Sequence, residues 1–197
     1  MQGMIEKRGS IGIIWIDNPP VNAISHAVRE GLIKAVENAS KDSEIKGLVL
    51  ACRGRTFMAG ADITEFASGV KPPWLGEVID TMSESSKVIV AAIFGTTFGG
   101  GLEVALGCNY RIADSNTKIG LPEVKLGIIP GAQGTQRLSR VSSVEFALKL
   151  ATLGNPVGAQ EALEAGAIDK ISNGELIDDA VSLSLIHISE PTRPREI

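Results

Sequence analysis

The chain is poor in the residues from which covalent and metal frameworks are built, with two cysteines and two histidines in 197 residues. Cys52 and Cys108 each stand in an apolar context and read as buried thiols in a reducing compartment, so no disulfide scaffold is expected. The scattered Cys and His offer no ligand spacing, which leaves no metal site to assemble. Positive charge is not in excess either. The net charge is −4 and no basic cluster stands out, which argues against a nucleic-acid partner. Long apolar runs are also missing: the stretch 88–94 is strand-sized, so no membrane insertion is expected. The N-terminus offers Glu6, Lys7 and Arg8 in place of an apolar leader, and a cytoplasmic location is expected.

What is present is an ordinary globular composition, 44% apolar and 21% charged, in a chain long enough for one domain with a real core. Residues 11–17 alternate and predict a strand, ended by Asn18-Pro19-Pro20. Ser25 is a candidate N-cap for a helix to about Ala39, with Val28, Leu32, Ala35 and Val36 on one face. Short apolar strands are predicted at 47–52 and 88–94, and shorter ones at 110–113, 118–119 and 167–171. Helices are predicted at about 75–85, 101–107, 133–138, 142–152 and 158–165. One helical turn is predicted at 121–125, with Pro122 where a missing N–H costs nothing. Strands alternating with helices imply an α/β fold with mostly parallel strands. Residues 1–182 form this core. From Leu183 the amphipathic pattern that begins near Leu176 breaks off. Residues 183–197 read as the translation of a sequencing adapter, so they are set apart from the core as a non-native tail.

Two glutamates carry the chemical signal. Glu103 lies in Phe98-Gly-Gly-Gly-Leu-Glu-Val, and Glu123 in Gly120-Leu-Pro-Glu-Val-Lys. Apolar neighbours desolvate each carboxyl, raising its pKa towards the range useful for proton transfer at neutral pH. Two glycine-rich turns accompany them. Gly60, between Ala59 and Ala61, lets the backbone turn tightly and be approached, just before a short helix opened by Asp62. Gly99-Gly100-Gly101 is a second strand end feeding a helix start, where unpaired amides point outward. Amides from two such turns can converge on one oxygen as an oxyanion hole. Phosphate binding and a purely structural turn are the competing readings, but there is no Gly-Lys-Ser/Thr of a P-loop and no dinucleotide spacing.

Four stretches, Ala59-Gly-Ala-Asp-Ile-Thr-Glu-Phe66, Gly99-Gly-Gly-Leu-Glu-Val-Ala105, Gly120-Leu-Pro-Glu-Val-Lys-Leu-Gly127 and Ile129-Pro-Gly-Ala-Gln-Gly-Thr-Gln-Arg-Leu138, resemble the crotonase superfamily of enoyl-CoA hydratases and isomerases. The resemblance covers roughly residues 5–180 and looks nearest to the hydratase portion of bacterial multifunctional fatty-acid oxidation proteins. It implies a spiral of repeated ββα units that lacks the family's C-terminal helices. It implies Glu103 and Glu123 as the catalytic carboxylates and the amides of Ala61 and Gly100 as the oxyanion hole. Ala59, Gly60, Asp62, Ile63, Gly99, Pro130 and Gly131 would lie along the CoA thioester. The implied reaction adds water across a trans-2-enoyl-CoA. An isomerase working through Glu123 and a non-catalytic acyl-CoA-binding fragment are the alternatives. No resident cofactor is implied, since the substrate itself carries coenzyme A. A homo-oligomer or an attached dehydrogenase portion is the expected partner. Phe66, Trp74 and residues 75–79 are candidates for the acyl channel, while Arg137 reads as a surface or ion-pair residue. Gln133 stands where many relatives carry glycine or arginine, a variation with no expected consequence.

Overall fold

The computed structural model describes residues 4–65 and 69–189. The strands among them are β1 (Met4–Arg8), β2 (Ile11–Ile16), β3 (Gly47–Cys52), β4 (Val88–Ile93), β5 (Thr96–Phe98), β6 (Tyr110–Ala113), β7 (Lys118–Gly120), β8 (Val157–Gly158) and β9 (Lys170–Ile171). The helices are α1 (His26–Lys41), α2 (Leu75–Ser83), α3 (Gly100–Gly107), α4 (Gly134–Val141), α5 (Val144–Leu153), α6 (Ala159–Glu164) and α7 (Leu176–Ser189), with a 3-10 turn at Pro122–Leu126. Six strands form the large sheet in the order β1-β2-β3-β4-β6-β9, and β5-β7-β8 form a small one. Only β1 pairs antiparallel in the large sheet; the other neighbours run parallel.

One path repeats. β4 lies in the large sheet, β5 in the small one, and α3 follows; then β6, β7 and the 3-10 turn retrace it one step along. This is the expected α/β spiral of ββα units. It brings the ends of β5 and β7, paired Phe98 to Gly120, to one place. Both residues that follow a small-sheet strand and carry a carboxyl, Glu103 and Glu123, are therefore delivered to the same end of that sheet.

The alternation predicted for 11–17 is not an inside–outside alternation. All six residues of β2 are buried, as are all six of β3. A parallel strand in mid-sheet is covered on both faces, so period-two alternation sorts its side chains between two cores. Ile14, Ile16, Leu48 and Leu50 join the core beneath α1 and α3, while Ile11, Ile13, Trp15, Val49 and Ala51 join the one beneath α7. The α1 stripe of Val28, Leu32, Ala35 and Val36 is buried as its spacing predicts.

α7 closes the second face. Ala180 and Ser184 are fully buried, and a side-chain carbon at Gly47 would sit 2.5 Å from Ser184 Oγ. The ring of His187 stacks on Tyr110 at 3.7 Å. The boundary drawn between Ser182 and Leu183 falls inside this helix. Residues 190–197 of the presumed tail lie outside the described residues, as does Phe66. β1, β5 and β8 have no counterpart in the predicted elements. β1 is an exposed edge strand of mixed polarity, and β5 and β8 have three and two residues, too few to show a period.

Candidate active site

A single residue, Gly99, separates β5 from α3. Its φ of 53° and ψ of −126° lie where a side-chain carbon is not tolerated, so glycine is required. The turn drives the start of α3 into the backbone before it. A carbon added at Gly101 would lie 2.1 Å from Met58 O, and Phe98 N–H donates to the same carbonyl at 3.1 Å. A carbon added at Gly100 would lie 3.6 Å from the amide nitrogen of Ala61. The two glycine-rich turns thus meet, with the Ala61 amide beside the N-terminal turn of α3. Ala61 is held by a parallel bridge to Ile24, in which Ile24 N–H donates to Gly60 O at 2.9 Å. Asp62 caps the residues that follow: its Oδ1 accepts from Thr64 N–H at 3.0 Å.

The carboxylates differ in their anchoring. Glu103 points from α3 into the interior and is 2% exposed. Its Oε1 accepts two backbone bonds of 2.8 Å, from Ala132 N–H and Gly134 N–H. Burial pushes its carboxyl above the ordinary range, and the two amides pull part of the way back. Glu123 rides on the 3-10 turn and is 8% exposed. Its Oε1 lies 2.9 Å from where a carbon on Gly99 would be, and its buried Oε2 has no hydrogen-bond partner. Burial also raises its carboxyl; a bond from its own backbone N–H pulls part of the way back, and the charge of Glu103 pushes it up again, so the two groups share one field.

Both carboxylates open on one cavity of about 500 Å³. Ala59, Gly60, Ala61, Asp62, Ile63, Gly99, Gly100, Glu103, Glu123 and Gly131 line it. Pro130 does not, although its neighbours Ile129 and Gly131 do. Of the acyl-channel candidates, Trp74, Leu75 and Gly76 reach the cavity, whereas Val78 and Ile79 are fully buried in the packing behind it. The mouth is apolar: Ile63 is 68% exposed, Leu126 69% and Ile129 82%.

Several wall residues have no counterpart among the sequence candidates. Arg29, 3% exposed, pairs with Glu65 at 2.9 Å and donates to the carbonyls of Ile24, Lys71 and Pro73. It ties the Ile24 bridge that sets Ala61 to the loop leading into α2. A signal existed, since Arg29 stands three residues before Leu32 and seven before Val36, on the buried stripe. Arg137, read as a surface or ion-pair residue, lies behind the wall: it is 7% exposed rather than on the surface, forms an ion pair with Asp80 at 3.7 Å, and donates to Gln133 and Ser83. Among the described residues no cluster of His, Cys, Asp or Glu could hold a metal ion, and no helix is long and apolar enough to cross a membrane.

Comparison with known proteins places these features in context. A family model described as enoyl-CoA hydratase/isomerase matches residues 6–190. The peroxisomal bifunctional enzyme of Cavia porcellus is 44% identical over 191 residues, covering 95% of this chain and 26% of that protein. The chain therefore spans about a quarter of the length of such relatives. A probable enoyl-CoA hydratase of Bacillus subtilis (strain 168) is 38% identical over 183 residues, 88% of this chain and 71% of its own length. Among solved structures, Pseudomonas aeruginosa DspI superposes with a TM-score of 0.89 at 32% identity, covering 97% of this chain and 75% of that one. An enoyl-CoA hydratase subunit of Geobacillus kaustophilus HTA426 gives 0.86 at 34% identity, covering 95% and 76%.

Proposed function

From the premise that the chain belongs to the enoyl-CoA hydratase/isomerase family, we propose that its site hydrates trans-2-enoyl-CoA thioesters to 3-hydroxyacyl-CoA. The observation that carries this reading is the pair of buried carboxyls on one cavity, beside a turn where the Ala61 amide meets the start of α3. The amides of Ala61 and Gly100 take the thioester oxygen and stabilise the negative charge that forms on it. A single donor of this kind contributes about 10²–10³ in rate.

The anchoring supports an assignment of the protons. Two amides on Oε1 favour the charged form of Glu103, so it is the carboxylate of the pair. Glu123, with a buried, unpartnered Oε2 and a charged neighbour, holds the shared proton. Glu103 removes a proton from water as the oxygen attacks Cβ. The electrons of the double bond move to the thioester oxygen as an enolate. Glu123 then gives its proton to Cα, and the carbonyl reforms. One water is consumed. One proton moves onto Glu103 and one leaves Glu123, so a transfer between the two restores the starting state. Coenzyme A enters as part of the substrate, along Ala59, Gly60, Asp62, Ile63, Gly99 and Gly131. A dehydrogenase portion in a longer parent belongs to the same proposal and rests on the relatives named bifunctional.

The free Oε2 of Glu123 favours a second activity at the same site. A carboxyl with one unengaged oxygen can carry a proton from one carbon to another, which is isomerisation of a 3-enoyl to a 2-enoyl thioester. Both readings are tested with Glu103→Gln and Glu123→Gln on crotonyl-CoA and on a 3-enoyl-CoA. Hydration should fall by about 10²–10⁴ in either variant, while isomerisation should fall only in Glu123→Gln. Full hydration by Glu103→Gln would remove the hydratase reading.

A further inference from the structure

Gln133 is one of two non-glycine residues with positive φ among those described; its φ is 72° and its ψ 9°. A residue with a Cβ in this region gives up about 1 kcal/mol or more, and persists there when its surroundings over-determine it. The side chain shows what holds it. Nε2 donates to Asp80 Oδ1 at 2.8 Å, and Oε1 accepts from Arg137 Nε at 2.8 Å. Arg137 is itself buried and anchored through Nη2 to Ser83 Oγ at 3.1 Å. A polar latch therefore runs from α2, behind the cavity wall, through Gln133 into α4.

The backbone on either side of Gln133 is the part that matters chemically. Ala132 and Gly134 are the two residues whose amides converge on Glu103 Oε1. A left-handed residue between two amides aimed at one anion makes a backbone nest. With a right-handed φ at 133, the two N–H vectors would diverge and Glu103 would keep one bond at most. The charged groups on the elements packed against α3 are Glu77 and Asp80 of α2, Arg137 and Arg140 of α4, and Arg111 of β6, with Glu123 across the cavity. None of these bonds Oε1, which leaves the nest as its anchor.

We propose that Gln133 is a positioning residue for Glu103: its latch to Asp80 and Arg137 holds the left-handed turn that aims the Ala132 and Gly134 amides at the Glu103 carboxylate. The proposal takes the role of Glu103 as base from the hydration reading, so its test reads the carboxyl directly as well as through turnover. The midpoint of Glu103 is followed by ¹³C NMR titration of the full chain, assigned with Glu103→Gln, beside kcat/KM against pH. Gln133→Val, β-branched and averse to positive φ, should raise the midpoint and move the acid limb of kcat/KM up with it. Its kcat should fall about 10-fold or more, a share of the 10²–10⁴ that proton transfer contributes. Gln133→Gly adopts the turn without a latch and should keep a midpoint close to that of the parent chain.

Asp80→Ala removes the bond from Gln133 and the 3.7 Å ion pair with Arg137, at a side chain that is 53% exposed, so it can be read even if Gln133→Val does not fold. It should raise the midpoint in the parent chain and leave it in place in the Gln133→Gly background. A parental midpoint in folded Gln133→Val, or in Asp80→Ala, overturns the proposal. So does a Gln133→Gly midpoint that rises as far as that of Gln133→Val. Shifted midpoints in chains that never hydrate crotonyl-CoA sustain the latch and count against the hydration reading instead.

Discussion

The two glutamates occupy equivalent steps of the spiral, yet their surroundings are unlike. Glu103 sits on a regular helix of eight residues, every one of them buried, and its Oε1 is pinned by two amides from a distant turn. Glu123 sits on a 3-10 turn whose neighbours Val124 and Leu126 are exposed, and one of its oxygens has no hydrogen-bond partner. One carboxyl is fixed in the floor of the cavity and the other is carried on its rim. The difference teaches that desolvation alone does not assign roles. It raises both groups; two amides of a distant turn oppose it at Glu103, against the one amide of its own residue at Glu123.

The sharpest way to break that comparison is to place a methyl group beneath each carboxyl. A carbon at Gly134 would lie 2.8 Å from both Cγ and Oε1 of Glu103, and a carbon at Gly99 would lie 2.9 Å from Glu123 Oε1. A pinned carboxylate has nowhere to go, because one of its pins is the Gly134 amide itself. Gly134→Ala should therefore cost about 10²-fold in hydration, the low end of what proton transfer supplies, with a smaller loss of stability. Glu123 lacks that pair of amides, so Gly99→Ala should act chiefly through the backbone. At φ 53° and ψ −126° the new side chain costs roughly 1–3 kcal/mol. Thermal melts beside kcat separate the two cases. Equal losses of kcat at equal Tm would erase the distinction between floor and rim.

A smaller effect appears in stability against pH. Both carboxyls are raised above the ordinary 4.5 in the folded chain. Their protonated forms are the ones the fold favours. The stability this supplies is complete below the unfolded value and is lost as pH rises through each folded value. Glu103→Gln and Glu123→Gln carry no charge to bury, so their stability relative to the parent should grow across that window, by at most about 1.4 kcal/mol per pH unit for one group. Gln also keeps an oxygen for the two amides at position 103. Urea unfolding at pH 4 and at pH 8 reads the difference. A gap that stays constant between the two pH values would mean that neither carboxyl is desolvated as the structure has it.

Much of this was legible in the chain itself, for reasons that can be named. Glu103 and Glu123 stood out because each follows a glycine or proline turn and is ringed by apolar residues. Pro122 marked the 3-10 turn, and the α1 stripe marked a buried face. What could not be read is the company each group keeps. The amides of Ala132 and Gly134 lie about thirty residues from Glu103 in sequence and carry no side-chain signature. Arg137 looks like any cation on an amphipathic helix until α2 brings Ser83 against it. Gln133 was given no consequence because side-chain identity does not reveal a left-handed φ. The sorting of β2 between two cores likewise depends on what covers each face, and alternation alone cannot supply that.

The rim offers the mildest test of the contrast. Leu126 shares the 3-10 turn with Glu123 and lines the cavity while 69% exposed, and Ile129 is 82% exposed beside it. Side chains that open to water contribute little to folding, so Leu126→Ser and Ile129→Ser should each change stability by no more than about 0.5 kcal/mol. Apolar surface at the mouth can still be covered by a bound acyl or pantetheine chain. It would be covered equally in the ground state and the transition state, because the reacting carbons lie deeper, between the carboxyls. Interactions of that kind lower KM without raising kcat. Each substitution should therefore raise KM for a long-chain enoyl-CoA by a few-fold, since each exposed methylene covered is worth about 0.8 kcal/mol at most, and leave kcat near its parent value. Crotonyl-CoA distinguishes the two parts of the ligand. If KM rises only for long chains, the rim holds the acyl tail. If it rises equally for crotonyl-CoA, the rim holds the pantetheine arm. A fall in kcat with KM unchanged would mean that the rim reaches the chemistry after all, and that Glu123 is held as tightly as Glu103.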